Sequence, residues 1–498
     1  MRQDSEPPQA SPAVTDDMDT SEVVTLELRG NDLVVVPPRS LQTLALDDML
    51  EALAGPEEAP GIAAVATLDR RHRVVRLIAM HFAALKAALS AWGAFPVRIA
   101  FDERPALAEP LTVAFDPRPY QQEALTAWQA EGSRGVVVLP TGSGKTLLGA
   151  QAIAETGLRT LVVVPTIDLL GQWRRALSRA LTLSEERIGI VGGGERSIEP
   201  ITIITYDSAA LHPRVLNQFG LLIFDECHHL PAPSYRQIAE GAFTPLRLGL
   251  SATPERADLE HRALDVLIGP EVYRREPEQL ASARYLAEYD VERIGAALAP
   301  SDRARYEAAR ATYRDFVRRR RLNVQSPQDF QRKILWASAR DPEARTAMLA
   351  WREARGLALN APAKLAILGD LFARHRDERV LVFSEFNALV EEVSQRFCMP
   401  SITHKTPGEE RRAILDRFRA GGYTKLVSGR VLNEGVDIPD CRVAVIVSGN
   451  ATRREYVQRL GRILRPKDSR AVLYELVTEE TTEEHVAERR RGRQVERK

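Results

Sequence analysis

Short, continuous apolar runs separated by stretches of helix length recur in two parts of the chain, and this rhythm limits the folds available to it. The first set comprises Val136–Leu139, Thr160–Pro165, Ile201–Tyr206, Leu221–Glu226 and Arg247–Thr253. The second set comprises Val380–Glu385, Lys425–Gly429, Val443–Gly449 and Ala471–Val477. Such runs are typical of strands buried on both faces of a parallel sheet. We therefore predict an α/β fold with two doubly wound parallel-sheet lobes.

The length of 498 residues is too great for one ordinary hydrophobic core. We divide the chain into an acidic, disordered tail (1–22), a small α+β domain (23–110), the first lobe (111–290), a helical insertion (291–360), the second lobe (361–480) and a basic tail (481–498). The small domain is predicted from a strand near Leu33–Val36, a loop at Asp69–Arg73 and a helix at Phe82–Trp92.

Composition excludes several classes of protein. No run approaches the ~20 apolar residues of a membrane span, so we expect no membrane partner. The cysteines Cys227, Cys398 and Cys441 lack metal-ligand spacing and favour a reducing compartment, which makes the cytoplasm the expected location. Lys plus Arg and Asp plus Glu both number 68, so a nucleic-acid surface would have to arise from local charge, such as the excess of arginine between residues 301 and 355.

A glycine-rich loop, Pro140-Thr-Gly-Ser-Gly-Lys-Thr146, follows the first apolar run. Its glycines allow backbone N–H groups to approach phosphate oxygens, and the next helix adds its positive end. In this signature Lys145 binds the outer phosphates and Thr146 gives its hydroxyl to Mg²⁺. The sequence therefore predicts a site for a nucleoside triphosphate with Mg²⁺. The predicted nucleotide-binding residues of the loop are Thr141, Gly142, Ser143, Gly144, Lys145 and Thr146.

The apolar run that starts at Leu221 ends in two adjacent carboxylates, Asp225 and Glu226. Neighbouring residues point to opposite sides of a strand, so both carboxylates can reach one site only where the strand is ending. We assign Asp225 to Mg²⁺ and Glu226 to the activation of a water molecule as a general base. Lys145, which reaches the outer phosphates as a point charge, is also counted as catalytic.

Ala451–Leu464 is predicted to be a helix, and Gln458, Arg462 and Arg465 recur on it at intervals of four and three residues. That spacing places all three side chains on one face. Arginines that one lobe delivers across a cleft stabilise the charge on a departing γ-phosphate. We therefore count Gln458, Arg462 and Arg465 among the catalytic residues.

Together with the loop and the acid pair, four further strings resemble the ordered motif set of superfamily 2 helicases: Arg118-Pro-Tyr-Gln121, Val164-Pro-Thr166, Ser251-Ala-Thr253 and Gln458-Arg-Leu-Gly-Arg462-Ile-Leu-Arg465. The resemblance implies that Arg118 and Gln121 bind the adenine and that Gly435 and Asp437 lie near the ribose and phosphates. It implies a coupling role for His228, Ser251 and Thr253. It also implies DNA contacts by Thr166, Thr205 and Ser428.

Four strings outside the universal motifs narrow this resemblance: Thr205-Tyr-Asp-Ser-Ala209, Asp225-Glu-Cys-His-His-Leu-Pro231, Ile402-Thr-His404 and Tyr456-Val-Gln-Arg-Leu-Gly-Arg-Ile-Leu-Arg-Pro466. With them, the chain between Arg118 and Val477 most resembles the xeroderma pigmentosum group B (XPB) branch of this superfamily, especially its archaeal members. The resemblance implies two RecA-like lobes, a helical thumb between them, and an N-terminal domain that matches the branch's damage-recognition domain only in the order of its elements.

Two further segments of this branch have counterparts here. An Arg-Glu-Asp element implicated in opening the duplex corresponds to Arg256-Ala257-Asp258, in which the central acid is replaced. In the thumb, Tyr306, Tyr313, Phe316 and Val317 form an apolar stripe that we interpret mainly as a packing face between two helices. The arginines beside it favour a track for a phosphate backbone over a merely solvated face. The predicted DNA contacts of these segments are Arg256, Asp258, Arg314, Arg318 and Arg321.

The resemblance implies an ATP-dependent DNA translocase and helicase with 3′ to 5′ polarity that acts in nucleotide excision repair. Its expected partners are single-stranded and forked or damaged duplex DNA, and an endonuclease such as the one with which archaeal relatives work. Two alternatives stay open. One is an ATP-gated clamp on damaged DNA that recruits a nuclease and unwinds weakly, which Ala257 allows; the other is an ATPase that remodels RNA.

Overall fold

The computed structural model describes residues 22–41, 65–255, 260–283, 285, 289–324, 327–429, 441–448, 470–484 and 487. The N-terminal domain has the elements β1 (Val24–Arg29), β2 (Asp32–Val36), β3 (Thr67–Asp69), β4 (Val74–Ile78), α1 (Phe82–Trp92) and β5 (Val97–Ile99). The order of its strands is β3-β4-β2-β1-β5. Leu85 and Leu89 of α1 are buried in the domain's apolar cluster, and Phe82 lies with its ring centroid 5.7 Å from that of Phe243 in the first lobe. The small domain is therefore packed on the first lobe.

The first lobe is an α/β layer structure around a mainly parallel sheet. Its strands are β6 (Arg134–Val138), β7 (Thr160–Val164), β8 (Ile188–Gly192), β9 (Glu195–Arg196), β10 (Ile201–Thr205), β11 (Leu221–Asp225), β12 (Leu246–Ser251) and β13 (Glu271–Arg274). Its helices are α2 (Pro119–Ala130), α3 (Lys145–Thr156), α4 (Ile167–Leu181), α5 (Tyr206–Leu211), α6 (Arg236–Glu240), α7 (Leu264–Leu267) and α8 (Pro277–Ser282). The five strands predicted for this lobe are present, and each begins and ends within two residues of its predicted bounds.

The sheet order β13-β6-β12-β11-β7-β10-β8-β9 determines where the site lies. Strands β6, β12 and β11 are neighbours and run parallel. Their carboxyl ends therefore meet at one edge of the sheet, which is where open α/β sheets bind ligands. The glycine-rich loop follows β6, Asp225 ends β11 and Ser251 ends β12.

The thumb consists of α9 (Pro300–Arg319), α10 (Pro327–Phe330) and α11 (Pro342–Leu359). Tyr306 and Phe316 of α9 are buried, and Tyr313 and Val317 are packed at the edge of an apolar cluster that includes alanines of α11. The apolar stripe is thus the packing face that the sequence predicts. Asp341 caps α11 by accepting hydrogen bonds from two backbone N–H groups of its first turn.

The second lobe is built on a parallel sheet of β14 (Tyr289–Ala296), β15 (Val380–Ser384), β16 (Ser401–Ile402), β17 (Lys425–Ser428), β18 (Val443–Ser448) and β19 (Ala471–Thr478) in the order β14-β19-β18-β15-β17-β16. Its helices are α12 (Ala363–Arg374), α13 (Asn387–Arg396) and α14 (Gly408–Arg419). The predicted border at residue 290 divides β14, which pairs with β19 over its whole length. This strand therefore belongs to the second lobe, not to the first lobe or the thumb.

The predicted basic tail also begins too early. Glu483 is fully buried, and its Oε2 lies 2.6 Å from Nζ of the equally buried Lys364 at the start of α12. Lys364 also donates to the carbonyl of Val447 at 2.9 Å. Residues 481–484 are thus anchored in the second lobe, because a buried ion pair with these hydrogen bonds cannot form in a solvated tail.

One described stretch, Pro342–Arg374, is long and apolar enough to pass a test of length and composition for a membrane span. It comprises α11 and α12, whose buried residues include five alanines of α11 and three leucines of α12. These buried residues supply part of its hydropathy, and 39% of the apolar window is buried. The predicted fold class, with two RecA-like lobes, a helical thumb and a small α+β domain, is confirmed.

Candidate functional site

The glycine-rich loop has the backbone of a phosphate cradle. Gly142 and Gly144 have φ values of 85° and 84°, a left-handed region that favours glycine. Helix α3 begins at Lys145, directly after Gly144, so its N–H groups open towards the loop. A Cβ atom on Gly144 would lie 2.6 Å from Nε2 of Gln121. The loop therefore needs glycine at this position both for its φ angle and for the space.

Gln121 supports the loop from behind. Its Nε2 donates to the carbonyls of Ser143 and Gly144 at 3.2 and 3.3 Å, and its Oε1 accepts from the backbone N–H of Arg118 at 3.0 Å. The hydroxyl of Tyr120 also donates to the Ser143 carbonyl. Arg118 in turn donates to the Tyr285 carbonyl at 3.2 Å. The two residues predicted to bind adenine thus lie beside the phosphate loop, and Gln121 holds its shape.

Lys145 lies between the loop and the acid pair. Its Nζ donates to the Leu139 carbonyl at 3.3 Å and lies 3.6 Å from Oε1 of Glu226. The side chains of Lys145 and Glu226 are only 11% and 13% exposed, so this pair is screened little by water. The structure therefore brings the predicted phosphate-binding lysine and the predicted base to one point.

Asp225 is held in a buried, oriented position. Its Oδ2 accepts a hydrogen bond of 2.7 Å from Nε1 of Trp173, and its Oδ1 accepts one of 3.0 Å from the backbone N–H of Glu226. Burial, followed by the negative charge of Glu226, raises the pKa of Asp225 to about 6, although Lys145 and the Trp173 hydrogen bond act in the opposite direction. A cation beside this carboxylate would relieve the cost of its burial.

Glu226 departs from strand geometry at the point where β11 ends. Its φ of 46° lies in the left-handed region, which costs roughly 1 to 3 kcal/mol for a residue other than glycine. The short 3₁₀ helix Cys227–His229 begins immediately after it. The left-handed turn breaks the alternation of the strand. Asp225 and Glu226 can therefore serve one site, as the sequence predicts.

A hydrogen-bond network joins Glu226 to the end of β12. Nδ1 of the fully buried His228 lies 3.4 Å from Oε2 of Glu226 and 3.2 Å from Oγ of Ser251. The Ser251 hydroxyl can also donate to Oε2 of Glu226 at 3.5 Å, and it accepts from the backbone N–H of Thr253 at 3.2 Å. Of the three residues predicted to couple hydrolysis to motion, His228 and Ser251 thus contact each other and the predicted base, and Thr253 joins them through Ser251.

Three buried hydroxyls around this edge have no hydrogen-bond partner among the described residues: those of Thr141, Thr166 and Thr253. Buried hydroxyls are normally satisfied, so these groups indicate an outside partner. The glycine cradle, the unsatisfied Thr141 hydroxyl and the cationic Lys145 fit a polyphosphate. The hard oxygen donors of Asp225 and Thr146 are those that Mg²⁺ prefers.

The remaining predicted residues fall into three groups: two hydroxyls of the lobes, three arginines of the thumb and seven residues outside the described part of the chain. Thr205 accepts a hydrogen bond from the backbone N–H of Ser208 and caps α5, and Ser428 donates to the adjacent Gly429 carbonyl at 3.0 Å, so both hydroxyls have local partners. On the thumb, Arg314 and Arg318 are exposed, and Arg318 pairs with Asp315 at 2.7 Å. Arg321 is also exposed, directly beyond α9. Seven predicted site residues lie outside the described residues: Arg256, Asp258, Gly435, Asp437, Gln458, Arg462 and Arg465.

Trp173 is a site residue that the sequence analysis missed. It lies in the middle of α4, and its ring packs against α3 so closely that a Cβ on Gly149 would lie 2.8 Å from it. Its contact with Asp225 joins residues 52 positions apart. A tryptophan on the buried face of an amphipathic helix gives no signal of this contact, because packing alone explains it.

Comparisons with known proteins agree with this geometry. A family model described as Type III restriction enzyme, res subunit, matches residues 114–256, and one described as Helicase conserved C-terminal domain matches residues 363–467. The DNA 3′-5′ translocase XPB2 of Sulfurisphaera tokodaii is 42% identical over 369 residues, which are 74% of this chain and 83% of that protein. The DNA 3′-5′ helicase XPB of Mycobacterium tuberculosis is 33% identical over 373 residues, which are 72% of this chain and 60% of that protein.

Solved structures support the architecture. The Hef helicase domain of Pyrococcus furiosus matches with a TM-score of 0.52 at 18% identity, over 74% of this chain and 97% of that chain. Dbp5 of S. cerevisiae, bound to RNA and ADP BeF3, matches with a TM-score of 0.50 at 13% identity, over 80% of this chain and 87% of that chain. At these identities the likeness concerns the fold alone.

Proposed function

The chain belongs to the XPB family of DNA 3′-5′ helicases and translocases, and we propose that it hydrolyses ATP to move along DNA in the 3′ to 5′ direction. The observation that most supports this proposal is the assembly of Lys145, Asp225, Glu226 and the Ser251 network at one edge of the first sheet. A nucleotide bound there contacts both the residues that catalyse its hydrolysis and the residues that couple hydrolysis to motion of the lobes.

Different residues of the first lobe bind the phosphates, hold the metal ion and activate the attacking water. The loop N–H groups and Lys145 bind the phosphates, and Asp225 with Thr146 would hold Mg²⁺, which would supply positive charge to the phosphates. Glu226 orients the attacking water and accepts its proton. Its neighbour His228 and the Ser251 hydroxyl hold the Glu226 carboxylate in place.

Motion follows from a site that two lobes share. We infer that Arg462 and Arg465, which lie outside the described residues, contact the γ-phosphate when the lobes close, so that closure is favoured while that phosphate is present. Loss of the phosphate removes these contacts. The Ser251–Thr253 segment connects the site to the rest of the first lobe, and alternating closure moves the protein along a strand.

The setting we infer is DNA repair, most specifically nucleotide excision repair, in the cytoplasm. Single-stranded, forked and damaged duplex DNA are the proposed substrates, with the N-terminal domain helping to hold distorted DNA. An endonuclease is the proposed protein partner, since the archaeal members that this chain resembles work with one. A damaged-DNA clamp that unwinds weakly is the second candidate function, because Ala257 replaces the acid of the strand-opening element.

Strand displacement separates these functions. Purified protein is offered duplexes with a 3′ or a 5′ single-stranded overhang, and ATP hydrolysis is followed in parallel. A 3′ to 5′ helicase displaces strands only from the 3′-overhang substrate. A clamp hydrolyses ATP and binds both substrates without displacement, whereas an RNA remodelling enzyme is stimulated by RNA in preference to DNA.

A further inference from the structure

A cavity of about 310 Å³ lies between the thumb and the second lobe. Its walls come from α9, from α11 and from the segment that follows β19. Ala354 and Ala358 of α11 create the space, because their side chains end at the β-carbon. None of the lining residues belongs to the phosphate loop or to the coupling network. Its volume is at the lower end of the ~300 to 1,000 Å³ that is typical of small-molecule sites.

The charge of the cavity favours an anion. Arg310 and Arg314 line it from α9, and among the described residues no carboxylate pairs with either of them. Arg310 is held by the Tyr306 hydroxyl at 3.3 Å. Arg355, on the opposite wall, is balanced by Glu385 at 3.6 Å. The unneutralised guanidinium groups therefore attract a negatively charged group to the α9 side.

Two aromatic rings supply flat apolar surface. Tyr313 of α9 and Trp351 of α11 both line the cavity and are partly buried. The Trp351 ring already packs against Phe330, with centroids 4.3 Å apart, and the Arg355 guanidinium lies 5.2 Å from its centroid. Tyr313 is therefore the ring of this pair that a base can stack on. Nucleobases stack on such rings whatever their sequence, because every base has a π-face.

The floor of the cavity contains a buried acceptor without a partner. Glu483 is 1% exposed, and its Oε2 is bound by Lys364 and by the backbone N–H of Thr478. Its Oε1 has no hydrogen bond among the described residues. A buried acceptor left unsatisfied is costly, so this atom indicates a donor that a ligand would bring.

We propose that the cavity binds one nucleotide unit. Its phosphate contacts Arg310 and Arg314, its base stacks on Tyr313, and an N–H group of the base donates to Glu483. The nucleotide comes from an unpaired position of the DNA strand beside the thumb, a source that rests on the proposed function. Residues 488–498 do not complement the cavity, because six of them are basic like its arginines.

Two variants test the proposal. Ala354→Leu fills the cavity without removing charge, and Arg314→Ala removes a proposed phosphate contact. Ala308→Leu, on the exposed face of α9, and Arg352→Ala, beside Trp351 but outside the lining, are the matched controls. The full-length variants are titrated with a labelled single-stranded oligonucleotide of about 12 nucleotides. They are titrated separately with dAMP, with ADP in excess so that the phosphate loop is occupied.

Ala354→Leu and Arg314→Ala are expected to weaken binding about tenfold, while both controls stay within about twofold of wild type. A loss with the oligonucleotide alone assigns the cavity to a strand-borne nucleotide, and a loss with dAMP as well assigns it to nucleotides in general. Ala354→Leu with unchanged affinity for both probes overturns the proposal. So does an equal loss in Arg314→Ala and Arg352→Ala, which would indicate only a diffuse positive surface.

Folding and the wider function are checked separately. Where thermal melting shows that Ala354→Leu is not folded, Tyr313→Leu replaces it, since it keeps apolar packing and removes the ring. ATP hydrolysis without DNA should be unchanged in the two controls, Ala308→Leu and Arg352→Ala. Wild type that is not stimulated by DNA contradicts the proposed function, whereas stimulated wild type with an indifferent Ala354→Leu variant contradicts only the nucleotide site.

Discussion

Glu226 is the residue whose chemistry is most open to test. Its carboxylate contacts Lys145 on one side and the His228–Ser251 network on the other. Glu226→Gln keeps the size of the side chain and removes the base, so ATP turnover should fall roughly 10²- to 10⁴-fold while nucleotide binding is retained. Steady-state phosphate release and nucleotide titration measure the two effects. Glu131→Gln, at an exposed position, is the control, and DNA-stimulated turnover in Glu226→Gln would remove Glu226 from its role.

Trp173 acts on the site through Asp225. Trp173→Phe keeps the ring that packs on Gly149 and removes the N–H donor. Because partners of a metal ligand typically contribute 10- to 100-fold to metal affinity, we expect a Mg²⁺ requirement raised by about tenfold. The melting-temperature rise caused by Mg²⁺ with ADP should shrink accordingly. Trp128→Phe loses a similar hydrogen bond, to the Arg247 carbonyl, far from Asp225. If both variants respond to Mg²⁺ alike, Trp173 only fills space.

Short helices of the first lobe depend on one buried cation. The Arg247 guanidinium is fully buried and donates to carbonyls of Ala239, Ala242, Thr244 and Leu267, which lie in or just beyond α6 and in α7. Burial lowers the pKa of Arg247 to about 9, but the carbonyl ends of two helices stabilise its charge.

Arg247→Met should therefore lower the free energy of unfolding by about 3 kcal/mol or more, because several buried carbonyls lose their donor. Urea unfolding measures the change. Arg196→Met, at an exposed position of β9, serves as the control and should change stability by less than about 0.5 kcal/mol. Equal stability of the two variants would mean that the carbonyls find other partners.

The thumb arginines make an independent prediction at the level of one helix. Replacement of Arg314, Arg318 and Arg321 by Gln should flatten the dependence of DNA affinity on salt, by about 2 units in the log–log slope for single strands. Fluorescence anisotropy over a range of salt concentrations gives the slope. Replacement of Arg340, Arg345 and Arg352 by Gln removes the same charge from the neighbouring segment and is the control. A slope unchanged from wild type in the α9 variant would contradict the thumb assignment.

Elements differ in how well the sequence predicts them. The strands of the lobes follow from continuous apolar runs, which explains why β6, β7, β10, β11 and β12 match so closely. Strand β14 lacks a continuous apolar run, because its sequence Tyr-Asp-Val-Glu-Arg-Ile-Gly-Ala mixes polar and apolar residues at the edge of its sheet. The burial of residues 481–484 has no local sequence signal either, since Glu483 is paired with Lys364, 119 positions away.

The candidate site, like the fold, can be predicted from the sequence only in part. Residues at strand ends and in the glycine loop can be placed from sequence, because their motifs are local. The support that Gln121 gives to the loop and the contact of Trp173 with Asp225 arise from tertiary packing, which no local pattern encodes. The left-handed conformation of Glu226 likewise appears only in the structure.

The whole molecule is expected to work by closing its two lobes around ATP. In the described residues Arg411 of α14 contacts Asp168 of α4 at 3.2 Å, so the lobes already touch across the cleft. Arg462→Ala should abolish hydrolysis, by about 10³-fold or more, and leave nucleotide binding to the first lobe intact. Phosphate release and ADP titration test this. Full turnover in Arg462→Ala would remove the second lobe from the chemistry.

Hydrolysis that depends on a nucleic-acid track is the central claim, and phosphate release by the purified protein with and without single-stranded DNA measures it most directly. We expect DNA to accelerate phosphate release strongly and RNA to do so less, with the DNA effect lost in Glu226→Gln. The same rate of phosphate release in the presence and absence of DNA would contradict an ATP-driven DNA motor.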